Sequence, residues 1–264
     1  MCILFLAVQQ HPRYPLIVAA NRDEFYARPT RSSQYWQEYP HILAGKDKQA
    51  GGTWMGITSS GHLSALTNIR SPDTFRDNEK SRGELVSNFL INTPSNHDYA
   101  AQLQQSASAY NGYNLVFGHW QNLLCYNNQQ NQLQTIEAGF HGLSNADLNS
   151  DWPKIQRGVA ALQAQVTAMQ ATETLNSDAL FTLLQNPTKA DKAALPQTGV
   201  SEEVEFNLSS IFIHLPNYGT RSSTLFYVDE QHQAVWHERV YNEQAQCVAN
   251  IRHELDLSTT VRNT

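Results

Sequence analysis

Short apolar runs separated by polar turns fill the first third of the chain. Cys2 to Val8, Leu16 to Ala20, Ile42 to Ala44, Thr53 to Thr58 and His62 to Ile69 each have the length and side-chain character of a strand. Ser59-Ser60-Gly61 between the last two predicts a hairpin turn. The period then changes. Leu85, Val86, Phe89 and Leu90 recur at helical spacing within Ser81 to Ile91, with Ser81 placed to cap, and a weaker helical pattern covers Tyr99 to Tyr110. Strand patterns return at Tyr113 to Phe117, Asn122 to Tyr126, Leu133 to Ile136 and Phe140 to Leu143. Ile155, Val159, Leu162 and Val166 then mark one face of an amphipathic helix over Trp152 to Met169, with Pro153 in its first turn. A shorter helix follows around Ala179 to Leu184, and the Pro-, Ala- and charge-rich stretch from Asn186 to Glu205 predicts a surface loop. Leu208 to Leu215, Thr224 to Val228 and Ala234 to Tyr241 read as strands. Strands flanking two helical regions, without strict β-α alternation, predict an α+β sandwich.

The length and composition narrow this picture. A chain of 264 residues with 41% hydrophobic and 10% aromatic residues can bury a large core, so one domain over residues 1–264 is expected. A net charge of -6 without clustered Lys and Arg argues against a nucleic-acid partner. Three cysteines, Cys2, Cys125 and Cys247, show no C-x-x-C spacing, so neither a disulfide framework nor a zinc signature is expected, and a reducing compartment fits. The first residues lack the basic region of a signal peptide, and no apolar stretch reaches the ~18 residues of a membrane-spanning helix. A cytoplasmic location without a membrane span follows as an expectation.

The candidate chemistry starts at the second residue. Removal of Met1 would leave Cys2 with a thiol and a free α-amine on one residue, and an amine that titrates near ~8 can accept the proton of an attacking thiol. The plainer alternative is a small buried residue opening a strand. Asn21-Arg22-Asp23-Glu24 follows the apolar run Leu16 to Ala20, where a strand tip would deliver the four side chains into a loop. Arg22 there offers a cation for a substrate carboxylate or a thiolate, and Asp23 an anion to orient the Cys2 amine; the alternative is a solvated turn with an internal ion pair. Thr67-Asn68-Ile69-Arg70 places Asn68 and Arg70 at another strand end. Gly142-Leu143-Ser144-Asn145 ends a strand with an amide donor suited to an oxyanion, although a turn Asn is the commoner use. Tyr218-Gly219-Thr220-Arg221-Ser222-Ser223-Thr224 opens a late strand with one cation, Arg221, and several hydroxyls. Gly45-Lys46-Asp47 and Gly51-Gly52-Thr53-Trp54-Met55-Gly56 do not make a phosphate loop, because no Gly-Lys-Ser/Thr follows the glycines. Ten histidines form no metal-binding motif, so no metal site is expected.

Taken together, Met1-Cys2-Ile3, Ala20-Asn21-Arg22-Asp23-Glu24-Phe25, Gly51-Gly52-Thr53-Trp54, Thr67-Asn68-Ile69-Arg70, Ser81-Arg82-Gly83, Gly142-Leu143-Ser144-Asn145 and Tyr218-Gly219-Thr220-Arg221-Ser222 resemble the NRDE family, also called the transport-and-Golgi-organisation family. The resemblance runs over nearly the whole chain. It implies an N-terminal-nucleophile (Ntn) hydrolase fold of four layers, αββα, distantly similar to choloylglycine and penicillin-V amidases. It assigns Cys2, Asp23 and Asn145 to catalytic positions, with Arg22 standing in for an arginine that the amidases carry where this chain has Ala20. Arg221 matches their late arginine loosely.

Two functions follow from the resemblance. The first is a cytosolic carrier that binds and moves haem in a groove beside Cys2, walled by Phe25, Trp54 and Met55 and bordered by Asn21, Glu24, Asn68, Arg70 and Arg221. The second is a Cys2-dependent hydrolase of linear amides or thioesters that requires no cofactor. A scaffold that keeps these residues only as structure is a third.

Overall fold

A computed structural model describes residues 2–77, 79–171 and 173–258. Met1, on whose removal the Cys2 chemistry depends, lies outside the described residues. The chain forms two compact units. The first comprises residues 1–27, 137–144 and 148–255, and the second residues 28–136, 145–147 and 256–264.

The first unit is built on a six-stranded sheet. β1 (Cys2–Val8) forms a hairpin with β2 (Leu16–Phe25), and β10 (Gly139–Leu143) joins the free side of β1. Beyond β2 lie β11 (Tyr218–Val228), β12 (Gln233–Tyr241) and β13 (Cys247–Asp256). Helices α3 (Pro153–Ala168) and α4 (Ser177–Leu184) cover one face. That core takes the alternate residues Ile3, Phe5 and Ala7 of β1, Ile17 and Ala19 of β2, and Ile155, Leu162 and Val166 of α3. Leu4 and Leu6, which point the other way, are also buried. Burial on both faces is why β1 reads as an unbroken apolar run rather than an alternation.

The second unit is a seven-stranded antiparallel meander in chain order: β3 (Thr30–Tyr35), β4 (Ile42–Asp47), β5 (Met55–Thr58), β6 (His62–Asn68), β7 (Tyr113–His119), β8 (Asn122–Asn127) and β9 (Gln132–Thr135). Between β6 and β7 the chain makes α1 (Gly83–Asn92) and α2 (Asn96–Ser106), whose apolar faces pack on the sheet around Phe89, Tyr99 and Phe117. The turn at Gly61, at φ +82°, closes the expected β5–β6 hairpin. A short helix, α5 (Glu202–Asn207), lies in the first unit. The two sheets and two helical coverings of the expected α+β fold are present. No described helix is long and apolar enough to cross a membrane.

Several expected boundaries move. β2 does not stop at Ala20 but runs on through Asn21-Arg22-Asp23-Glu24 to Phe25, because internal hydrogen bonds let polar residues continue the ladder. Leu208 to Leu215 is not a strand. It runs irregularly, with one isolated bridge at His214 to Gly219, and its backbone serves side chains of other elements instead of a sheet partner. The stretch expected to be a loop, Asn186 to Glu205, contains the start of α5, capped by Ser201. β3 and β13 were not expected, since their polar, exposed residues carry little hydrophobic signal. Ser81 does not cap α1. The flanking residue is Arg82, and Gly83 opens the helix while its carbonyl accepts from Thr53 N at 3.2 Å.

The glycine motifs acquire a packing role here. A Cβ on Gly52 would lie 2.5 Å from the carbonyl carbon of Gly83, so the backbones cross here only with glycine at residue 52, while a Cβ on Gly83 would sit 3.1 Å from Thr53 O. In the first unit, a Cβ on Gly158 of α3 would lie 2.0 Å from the ring of Phe5. Gly158→Ala would add up to ~1 kcal/mol of helix propensity, but forcing a methyl into a buried ring costs about 1 to 3 kcal/mol. A net loss of roughly 1 to 2 kcal/mol is expected, read as a lower urea midpoint at unchanged slope, and Phe5→Leu in the same chain should recover part of it.

Candidate active site

Cys2 opens β1 directly opposite Arg22 of β2, and Ser144 Oγ donates to the Cys2 carbonyl at 3.1 Å. The Cys2 side chain is half-buried. Its neighbours on β2 are more deeply enclosed: Asn21 is 1% exposed, Arg22 5% and Asp23 2%. A solvated turn, the simpler expectation for this run, is therefore ruled out. Burial of charge on this scale is costly unless each group finds partners.

The partners differ for each residue. Asn21 Nδ2 donates to Leu184 O at 2.8 Å and to Ile211 O at 3.0 Å, while its Oδ1 accepts from Ser223 Oγ at 2.6 Å. This amide thus ties β2 to the end of α4, to the irregular 208–215 segment and to β11, and its expected part in substrate binding gives way to a structural one. Arg22 pairs with Glu24 at 3.9 Å. Asp23 Oδ1 accepts from Thr220 Oγ1 at 2.7 Å, and the same hydroxyl accepts from Ile213 N at 3.0 Å. A register shift between Thr220 and Ser222 sets Thr220 opposite Asp23 and Ser222 opposite Arg22. Arg221, at that shift, donates through Nη1 to the carbonyls of Phe25 at 2.9 Å and Tyr26 at 3.0 Å, so it holds the end of β2. Phe25 is exposed, its ring edge-on to Tyr218.

Electrostatics follow from this enclosure. Burial pushes the Asp23 carboxyl up, and it is countered by the N-terminal amine first and then by the Lys154 ammonium, the Thr220 hydroxyl and Arg22. Burial also pushes the Cys2 thiol up, with Asp23 and Glu24 adding to the rise and the N-terminal amine and Arg22 opposing it. The thiol is accordingly protonated at neutral pH, and its use as a nucleophile needs a base.

Lys154 is the residue that pattern reading passed over. It lies in the first turn of α3, 2% exposed, with Nζ 3.3 Å from Leu208 O and 5.7 Å from the ring centre of Trp152. One signal was available: with Pro153 opening the helix, a lysine next to it stands at the positive end of the helix dipole.

The other expected residues belong to the second unit. Asn145, 1% exposed, donates from Nδ2 to Asn68 O at 2.9 Å, accepts at Oδ1 from Arg70 Nη2 at 3.4 Å, and accepts at its carbonyl from Arg70 N at 2.8 Å. Asn114 Nδ2 braces the same segment through Ala146 O at 2.8 Å and Thr67 Oγ1 at 3.1 Å. Asn68, Arg70 and Asn145 thus form one cluster within the second unit. Trp54 lies on the Cα of Gly45, where a Cβ would meet its ring at 2.2 Å, and Met55 is a core residue rather than a groove wall. Among the described residues no group of three or more His, Cys, Asp or Glu side chains is placed to hold a metal.

Comparisons with known proteins agree with this architecture. Two mutant forms of conjugated bile acid hydrolase from Clostridium perfringens share the fold, with TM-scores of 0.52 and 0.53 at 9% and 8% identity, each covering 98% of this chain and 93% of the solved one. The Ntn-hydrolase fold implied by the sequence resemblance is thereby the fold of this chain. In sequence, the chain is 33% identical over 259 residues to the "Transport and Golgi organization protein 2 homolog" of Bos taurus, covering 90% of this chain and 92% of that protein. It is 28% identical over 261 residues to "Transport and Golgi organization protein 2" of Drosophila melanogaster, covering 88% and 89%. The sequence profile of Transport and Golgi organisation 2 matches residues 1–243, and the chain belongs to that family.

Proposed function

We propose that the chain is a Cys2-dependent N-terminal-nucleophile hydrolase of amides or thioesters. One observation carries this reading: a partly accessible thiol heads β1 beside an enclosed arginine and carboxyl, Arg22 and Asp23, on the adjoining strand. Removal of Met1 frees the α-amine. The Cys2 thiol passes its proton to that amine, and Sγ adds to the acyl carbon of the substrate. The ammonium then protonates the leaving amine or thiol as its bond to carbon breaks, and water cleaves the resulting acyl-thioester to restore Cys2. Arg22 favours the developing thiolate, and Asp23 orients the amine. The haem-carrier reading rests on the family resemblance alone.

Intact mass of the natively expressed protein, before and after p-nitrophenyl acetate, tests the reading. Met1 should be absent, and a stable acetyl adduct should map to the Cys2 peptide and vanish in Cys2→Ala, with any adduct on exposed Cys247 unaffected. Retained Met1, no adduct at Cys2 and a saturable Soret shift with haem would replace the hydrolase by a ligand carrier.

The charge arrangement predicts a pH dependence with a definite sign. Because burial disfavours the thiolate, iodoacetamide alkylation of Cys2 should rise with pH to a midpoint above the ~8.5 of a free cysteine. Arg22→Gln removes a cation that favours the thiolate, so the midpoint moves further up and alkylation at pH 8 slows by about three- to tenfold. Asp23→Asn removes an anion and moves the midpoint down. Peptide-resolved alkylation rates between pH 6 and about 10 check both signs.

A further inference from the structure

Lys154 breaks two local rules at once. It is a lysine with almost no solvent exposure, and it stands in the first turn of the 16-residue helix α3, where the helix dipole disfavours a cation. Residues that violate local rules without loss of fold point to a compensating interaction elsewhere. Position identifies it. Gly158, one helical turn further on, rests on Phe5 of β1, and side chains four residues apart share a helix face. Lys154 therefore reaches the end of the sheet where Ile3 pairs with Asn21 and β2 continues to Asp23. Asn21, two residues before Asp23 on the same strand, bonds to Leu184 of α4, so the odd-numbered side chains of this stretch face the helices.

The charged and titratable groups around Asp23 include the N-terminal amine, the foremost cation acting on it, and the Tyr26 hydroxyl just beyond β2, and the rest come from four elements. β1 supplies Cys2, β2 supplies Arg22 and Glu24 as well as Asp23 itself, α3 supplies Lys154, and β11 supplies the Thr220 hydroxyl. Of the two side-chain cations, Arg22 is already committed to Glu24 and lies opposite Cys2 on the alternate face of the strand. Lys154 is on the side of Asp23, anchored by Leu208 O.

We infer that Lys154 is a positioning residue of the Cys2 site: its ammonium keeps Asp23 a carboxylate at neutral pH, and that carboxylate in turn orients the amino group and tunes the thiol of Cys2. Lys154 touches neither substrate nor the reacting atoms, and it acts through Asp23. The inference rests on the reading of Cys2 as the reactive group and extends it to the helix. Without the Lys154 ammonium, burial is opposed only by the terminal amine, the Thr220 hydroxyl and Arg22, so Asp23 takes up a proton more readily.

The experiment reads Asp23 and Cys2 separately, in the full chain. The infrared carboxylic-acid band that disappears in Asp23→Asn reports Asp23 protonation, and iodoacetamide alkylation reports Cys2. In Lys154→Met the Asp23 band should titrate at least about one pH unit higher than in the unsubstituted protein, a tenfold change in proton affinity. The Cys2 alkylation midpoint should fall to that of Asp23→Asn. Lys154→Arg, which keeps the charge, should stay close to the unsubstituted protein in both readouts. In Asp23→Asn the further change Lys154→Met should leave the Cys2 midpoint unmoved, and this double variant buries no unpaired carboxylate should Lys154→Met fold poorly. An Asp23 band that titrates alike with and without Lys154 overturns the inference. So does a Cys2 midpoint that Lys154→Met still shifts when residue 23 is Asn. Were the Asp23 and Cys2 responses as expected while no acyl adduct formed at Cys2, the pairing would stand and only the hydrolase reading would fail.

Discussion

Arg22, Asp23 and Lys154 bring three ionisable side chains into the interior of one sheet-and-helix unit, and in that setting no charge is stable by itself. Much of the local architecture answers this constraint. β2 must extend past its apolar half so that Arg22 and Asp23 point to opposite faces, one toward Cys2 and Glu24, the other toward α3. The register shift near Arg221 is needed to set Thr220 against Asp23. The 208–215 segment stays irregular because its carbonyls are used one by one, Leu208 by Lys154 and Ile211 by Asn21. A regular strand would have given those acceptors to a neighbouring backbone instead.

The same constraint explains why the thiol of Cys2 is quiet at rest. Desolvation is the main cause that favours the neutral form, Asp23 and Glu24 add to it, and the N-terminal amine and Arg22 oppose it. A site of this kind does not advertise a preformed thiolate. On the proposed hydrolase reading the proton acceptor is the α-amine that removal of Met1 would free on Cys2 itself. That dependence couples the chemistry to processing of the terminus.

Sequence motifs that invite a chemical reading divide here into two kinds. Some hold the frame: Gly52 permits two backbones to cross, Gly45 leaves room for Trp54, Asn21 staples three elements and Arg221 secures the end of β2. Others gather polar groups at strand ends, as Cys2, Arg22 and Asp23 do in one unit and Asn68, Arg70 and Asn145 do in the other. The fold is shared with a bile acid hydrolase at 9% identity, and a likeness of that kind speaks for the frame alone. Function has to be argued from the second kind of residue.

What the sequence by itself determined is the set of elements whose apolar spacing is strong. β1, the β5–β6 hairpin and α3 all lie where their hydrophobic period places them, and the ordered series of motifs was enough to identify the family and with it the fold. Weakly patterned elements were out of reach: β3 and β13 each bury only one residue fully, so the burial that makes a period visible is missing. Nor does a period separate a polar turn from a polar strand, which is why Asn21 to Glu24 read as a strand tip. Only the tertiary structure decided that these residues are buried, that Asn21 is a staple, and that a lysine more than a hundred residues away shares their enclosure. The physical reason is that charge burial is decided by partners distant in sequence, and hydrophobic spacing carries no record of them.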